Sequence, residues 1–313
     1  MNKLSIVIPV LNEGENIKPL LSGIKEALIN SGFDYEIILV DDGSTDDTVN
    51  AIRQNADKNT ILIGLKKNYG QTAALKAGID YSKGEYIATM DGDLQNDPED
   101  LIYMMNILRE SDCDVVTGIR VKRKDDLFLR KIPSAIANYI IRKVAGTDIK
   151  DNGCGIKIFK SQVLEEIPLY GERHRILVSL AALEGARIRQ VDVKHHPRVL
   201  GKSKYGLNRT LKIISDLILM HFFKKYGQKP MYLFGPAGII TSLAGSIILV
   251  ILLTEKILGA DIWGRPVMIL GVLLMLIGFQ IISTGLILDM IVKRNYEKND
   301  GKPYKIKNIL PRE

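Results

Sequence analysis

Cysteine is scarce: Cys113 and Cys154 are the only two in 313 residues. They are too few and too widely spaced for a disulfide framework or a thiolate metal site, and they read as reduced, partly buried thiols. Histidine is nearly as rare, with His174, His195, His196 and His221. His195 and His196 are adjacent, and on an extended strand neighbours point to opposite faces, so they suit hydrogen bonding better than one metal ion. His174 is expected near a site mouth but outside the catalytic set. Tryptophan occurs once, at Trp263. The segment Met1–Asn16 has one lysine and a short apolar run that breaks at Pro9, without a small-residue cleavage site. A cleaved leader is not expected.

Charge is missing from two long stretches. Met231–Thr254 has no charged residue over 24 positions and Pro266–Leu288 none over 23. Each is long enough to cross a hydrocarbon core, which takes about 20 helical residues. The expected spans are 231–254 and 266–290, within a transmembrane hairpin over 226–294. Lys224, Lys225 and Lys229 precede it, and Lys293, Arg294 and Lys298 follow. Positive flanks at both ends predict cytoplasmic termini, with only Glu255–Arg265 and its interfacial Trp263 on the far side. Residues 295–313 read as a polar cytoplasmic tail.

The charge that is present is unevenly placed. Residues 1–118 carry 10 Lys/Arg against 20 Asp/Glu, and the remainder 33 against 16. Acidic clusters suit metal ions, and a basic half suits phosphates or an anionic membrane face. Nucleic acid fits poorly with an acidic first half and apolar spans. Short apolar runs at Leu4–Val10, Glu36–Val40, Ile61–Leu65, Tyr86–Met90 and Asp114–Ile119 read as buried parallel strands. The helix after the first strand has a core face of Ile17, Leu20, Leu21, Ile24 and Leu28. Further helices are expected over Asp46–Ala56, Gln71–Ser82 and Pro98–Glu110, the last with proline at its first position. This alternation predicts an α/β, doubly wound, mostly parallel sheet over 1–225, with ligands at the carboxyl ends of its strands. Basic amphipathic helices at about 127–145 and 207–225 can lie in a membrane interface.

The acids collect at those strand ends. Asp91-Gly92-Asp93-Leu94-Gln95 follows the fourth run, and carboxylates two apart with an amide oxygen beyond can gather round Mg2+ or Mn2+. Asp41 and Asp42 follow the second run, where a carboxylate can accept from a nucleobase or a ribose. Pro9, Leu11 and Glu13 leave the first strand at the same edge.

Together these pieces resemble the family 2 glycosyltransferases of GT-A fold. Gly118-Ile119-Arg120, Asp151 to Gly155 and Arg198 to Tyr205 narrow the resemblance to the dolichyl- and polyprenyl-phosphate mannose or glucose synthase branch. The resemblance implies a nucleotide-sugar site at Pro9, Leu11, Glu13, Asp41, Asp42, Gly70, Lys76, Asp91, Gly92 and Asp93. It implies Mg2+ or Mn2+ on Asp91, Asp93 and Gln95. Arg120, Arg130, Ser134, Arg198 and Lys204 would hold the acceptor phosphate, and Asp93, Arg120, Arg198 and Lys204 would carry catalysis.

The implied reaction is inverting transfer of a hexose from GDP-mannose or UDP-glucose to undecaprenyl or dolichyl phosphate, at the cytoplasmic face of the inner membrane. An N-acetylated or modified arabinose donor stays open, as does self-association of the chain. Hydroxyl-glycosylating relatives often carry Gln-x-x-Arg-Trp, which Trp263 between the spans cannot supply. A lipid phosphate is already anionic near neutral pH, so no catalytic base is expected. The rivals are a phosphotransferase with an Asp-x-Asp nucleophile and a non-enzymatic membrane adaptor or lipid-translocating protein. The first usually places its acids after strand one, and the second would have lost them.

Overall fold

Side-chain alternation in the first strand, β1 (Lys3–Val10), sets both faces of the sheet. Leu4, Ile6, Ile8 and Val10 pack into one buried cluster and Val7 into the other, as period two requires. The computed structural model describes residues 3–29, 31–120, 148–165, 167–197, 222, 225–262 and 264–298. The expected interfacial helices at about 127–145 and 207–225 lie almost wholly outside these residues, as does the end of the tail.

Strands and helices then alternate: α1 (Gly14–Leu28), β2 (Asp34–Asp41), α2 (Thr48–Asn55), β3 (Thr60–Gly64), α3 (Gln71–Tyr81), β4 (Tyr86–Thr89), α4 (Glu99–Glu110) and β5 (Val115–Arg120). All five strands read from the sequence are present, displaced by at most two residues at either end. Pro98 stands one residue earlier than expected, as the cap before Glu99, because Asp97 Oδ1 accepts the Glu99 N–H at 3.0 Å and forms the entering turn. After residues 121–147 come β6 (Lys157–Lys160), α5 (Ser161–Glu165), a short 3-10 turn (Arg173–Ile176), α6 (Leu177–Leu183) and β7 (Ile188–Val193).

The seven strands are ordered β3-β2-β1-β4-β6-β5-β7. Only β6 runs antiparallel to its neighbours, pairing Lys157 with Thr89 of β4 and with Thr117 of β5. The carboxyl ends of β1, β2, β4 and β5 therefore share one edge with the amino end of β6. Asp41, Asp91, Arg120 and Lys157 meet along that edge although 116 positions separate the first from the last.

On one face α1 contributes Ile17, Leu20, Leu21, Ile24 and Leu28, the set its spacing predicts. Fully burying each such side chain is worth about 1.5–3 kcal/mol. On the other face α3 lies close to the sheet because Gly78 has no side chain: a Cβ there would come within 2.3 Å of Val7 Cγ1. Glu36 of β2 is buried and takes hydrogen bonds from Lys3 Nζ (2.7 Å), Ser5 Oγ (2.6 Å) and the Lys83 N–H (2.8 Å). Burial alone would raise its pKa, but these donors outweigh burial and hold it below the usual value. A depressed carboxylate stabilises the fold above its unfolded pKa and loses that contribution as pH falls through the folded value. Glu36→Gln should therefore cost about 1–2 kcal/mol near pH 7. Thermal unfolding of both proteins against pH should show the difference shrinking below about pH 4.

Residues 221–313 form a second unit, described by itself. Its helices α7 (Met231–Ile257) and α8 (Pro266–Lys298) outrun both apolar stretches. Glycines let their backbones touch: a Cβ on Gly278 would lie 2.6 Å from the Gly238 oxygen, and one on Gly245 2.6 Å from the Gly271 oxygen. Such close approach is how helices pack where lipid removes the hydrophobic drive. Only 17% and 11% of their most apolar windows are buried, so both are candidate membrane spans. Arg265 pairs with Glu255 across the connecting turn.

Candidate active site

The loop after β1 and the loop after β2 hold each other. Asn12, in the left-handed region at φ 51°, donates its N–H to Ser44 Oγ (2.8 Å), and its Oδ1 accepts the Thr45 N–H (2.7 Å). Glu13 donates its N–H to Thr48 Oγ1 at 2.9 Å and its carboxylate accepts from Asn16. Asp41 is buried and accepts the Ser44 N–H at 3.2 Å. Asp42 is buried too, and its two oxygens accept the N–H groups of Tyr69 (2.7 Å) and Gly70 (2.9 Å). Asp42 thus shapes the β3–α3 loop, and Gly70 at φ 95° opens α3. Gly43 cannot be larger, since a Cβ would meet the Lys67 carbonyl carbon at 2.7 Å.

The acid pair sits at the centre of the edge. Leu94 takes φ 61°, rare for a branched residue, and so turns the chain sharply between Asp93 and Gln95. Asp91 lines an open cleft with Pro9, Gln71, Asn152, Lys157 and Arg175. Gln71 Nε2 donates to Asp91 Oδ1 at 3.0 Å. Gly155 makes the cradle, because a Cβ there would fall 2.2 Å from Asp91 Oδ2. Burial and then the field of Asp93 raise the Asp91 pKa, while Lys157 and Arg120 pull against them. Two mutually repelling carboxylates at the cleft fit a hard divalent cation, which would relieve that repulsion. No third His, Cys, Asp or Glu joins them among the described residues. An ion held there would complete its shell from substrate oxygens.

The other expected site residues divide. Gln95 pairs with the segment before Arg198: its main-chain oxygen accepts the His196 N–H at 2.9 Å, and its side-chain Nε2 lies 3.5 Å from the His196 main-chain oxygen. Lys76 does not line the cleft and pairs with Asp80 one turn along α3. Arg120 reaches the shared edge, but Asp151 holds its guanidinium in a two-pronged pair at 2.7 and 2.8 Å. His196 meets Asp97 at 3.3 Å, a hydrogen-bonding role as expected. His174 does line the cleft and contacts Thr72 Oγ1 at 2.7 Å. Arg130, Ser134, Arg198 and Lys204 lie outside the described residues.

The cleft also has residues to which the sequence assigned no site role. Gln71, Asn152, Lys157 and Arg175 line it, and Cys154 is a neutral thiol there, raised to about 11 by burial and by Asp151. Only the Asp151–Gly155 run carried a sequence signal.

The family model described as Glycosyl transferase family 2 matches residues 5–168. A dodecaprenyl-phosphate galacturonate synthase of Rhizobium johnstonii is 41% identical over 98% of this chain and 93% of its own. The chain belongs to glycosyltransferase family 2. This family 2 glycosyltransferase is also 31% identical to an undecaprenyl-phosphate 4-deoxy-4-formamido-L-arabinose transferase of Proteus mirabilis, over 99% of this chain and 94% of that one. Among solved structures, glucosyl-3-phosphoglycerate synthase of Mycobacterium tuberculosis with Mn2+, UDP and glucosyl-3-phosphoglycerate superposes at TM-score 0.54. That match has 18% identity and covers 71% of this chain and 80% of that one. At that identity the likeness speaks for the fold, which is GT-A.

Proposed function

We propose that this enzyme transfers a sugar from a nucleotide-sugar to a polyprenyl phosphate, with inversion, at the cytoplasmic face of a membrane. The observation that carries the reading is full-length likeness to two transferases named for polyprenyl-phosphate acceptors, on a chain that ends in two apolar helices. The organisation proposed is a catalytic domain over 1–225, a hairpin over 226–294 with both flanks cytoplasmic, and a tail over 295–313. The relatives' names add galacturonate and a formamido-arabinose to mannose and glucose as candidate donors.

In this reading the loops after β1 and β2, with Pro9, Leu11, Glu13 and Asp41, seat the nucleoside, while Asp42 and Gly70 fix the shape of that seat. Asp91 and Asp93 would hold Mg2+ or Mn2+. A bound cation would act as a Lewis acid toward the leaving diphosphate. Arg198 and Lys204 gather the lipid phosphate, and Arg120, braced by Asp151, adds fixed positive charge beside it. The acceptor oxygen is anionic on arrival, so the residues orient it and no base takes a proton.

The test is acceptor choice. Purified protein in detergent, given a panel of nucleotide-sugars, should glycosylate a short polyprenyl phosphate and leave the matching polyprenol untouched. Equal use of the polyprenol would require a base to take the hydroxyl proton and would refute the reading. Arg198→Ala should weaken acceptor use by roughly ten- to a hundredfold, the worth of one charge-assisted contact, with little change in nucleotide affinity. Donor titration and acceptor kinetics on the same sample check this.

A further inference from the structure

We propose that Lys157 and the side-chain amide of Asn152 form the donor-sugar pocket and select a sugar bearing a carboxylate, a hexuronate. The inference rests on the reaction class proposed above. Position carries the first part. Across the sheet, Pro9 and Asp41 end β1 and β2, the acid pair follows β4, and Lys157 begins β6 on the far side of that pair. A donor whose nucleoside lies over β1 and β2, with its diphosphate at Asp91 and Asp93, directs its sugar toward β6.

Unmatched donors carry the second part. Lys157 is 5% exposed and lines the cleft, and its side chain makes no hydrogen bond or close ion pair with any described residue, although the fields of Asp91 and Asp151 reach it. The acids around it are occupied: Asp151 grips Arg120 at 2.7 Å, and Asp91 receives Gln71 at 3.0 Å beside Asp93. A buried charge without a dedicated partner is costly, and an arriving anion removes that cost. Asn152 is 2% exposed and lines the same cleft. Its Oδ1 accepts from Ser179 Oγ at 2.7 Å, which fixes the amide and leaves Nδ2 buried with no partner among the described residues. An ammonium and an amide N–H are both donors, and a carboxylate accepts from both. A neutral hydroxymethyl group would satisfy neither fully.

The diphosphate is the rival anion for Lys157, and it is common to every donor, so discrimination between matched donors separates the two. Full-length protein would be assayed with a short polyprenyl phosphate and two pairs: UDP-galacturonate with UDP-galactose, and UDP-glucuronate with UDP-glucose. The wild type should prefer one uronate over its neutral partner by at least roughly tenfold in kcat/KM. Lys157→Met should erase most of that preference and Lys157→Arg should keep most of it. Asn152→Asp retains the acceptor for Ser179 but sets a negative charge against the sugar, and should also erase the preference. UDP titration shows that each variant is folded. A wild-type preference for the neutral sugars, or equal slowing of both members of a pair by Lys157→Met, overturns the inference. Transfer from none of the four donors overturns it as well. In these cases, lipid product from any nucleotide-sugar leaves the reaction class standing, and its absence from all of them sinks both.

Discussion

Asp93→Ala should lower transfer by about a thousandfold or more while the protein stays folded and inserted. Its carboxylate is half-exposed beside Asp91 and accepts the Gln95 N–H at 3.2 Å in a surface turn. In the proposed site its removal would leave Asp91 alone to hold a cation that would neutralise the departing diphosphate. Lewis-acid stabilisation is worth several kcal/mol, and about 1.4 kcal/mol is a factor of ten. The wild type should lose activity to a similar extent in excess chelator and regain it with Mg2+ or Mn2+. Binding of Mn2+ in the presence of the nucleoside diphosphate, followed by electron paramagnetic resonance, gives a readout independent of turnover. Full activity of the variant, or indifference to chelator, would remove the cation from the mechanism.

Gly155→Ala should cost about a hundredfold in activity through one added methyl. That methyl would stand 2.2 Å from Asp91 Oδ2 and 2.8 Å from Asn96 Oδ1, so the carboxylate must swing away. Displacing a reacting or coordinating group by about 1 Å can cost roughly a hundredfold even when the fold survives. Overpacking of this kind costs about 1–3 kcal/mol of stability, so unfolding should shift only modestly. Circular dichroism and Mn2+ affinity on the same sample distinguish a misplaced Asp91 from an unfolded chain. A fully active alanine variant with unchanged cation affinity would show that the position of Asp91 does not matter.

The strands, the helices and the acid pair were legible because each is a local pattern. Leu4, Ile6 and Ile8 alternate, Ile17 to Leu28 repeats at helical spacing, and the carboxylates follow an apolar run directly. What the sequence concealed depends on distant chain segments. Lys157 carries no local signal, and it is buried because β6 inserts between β4 and β5. Gln71 reaches Asp91 only because β4 lies beside β1 while α3 packs over β1 and β2. Lys76 follows Gln71 by five positions, a rotation that leaves it about 140° round the helix from the cleft-facing side. Spacing and the family resemblance both offer Gln95 as a ligand, and neither shows that residues 195–196 pass beside it and give its side-chain amide another neighbour. Asp42 was expected to meet the nucleotide directly, and its two backbone partners at residues 69 and 70 are invisible without the β3–α3 loop in place.

The central claim is that the bond broken joins the sugar to its diphosphate, and that the lipid phosphate oxygen replaces it. Product analysis decides this. Purified protein would be given a nucleotide-sugar and a short polyprenyl phosphate, with the lipid product and the released nucleotide identified by mass spectrometry. The account predicts a lipid phosphodiester carrying one sugar and an equal amount of nucleoside diphosphate. A lipid diphosphate with release of nucleoside monophosphate would mean that a sugar phosphate had been moved, and would contradict it.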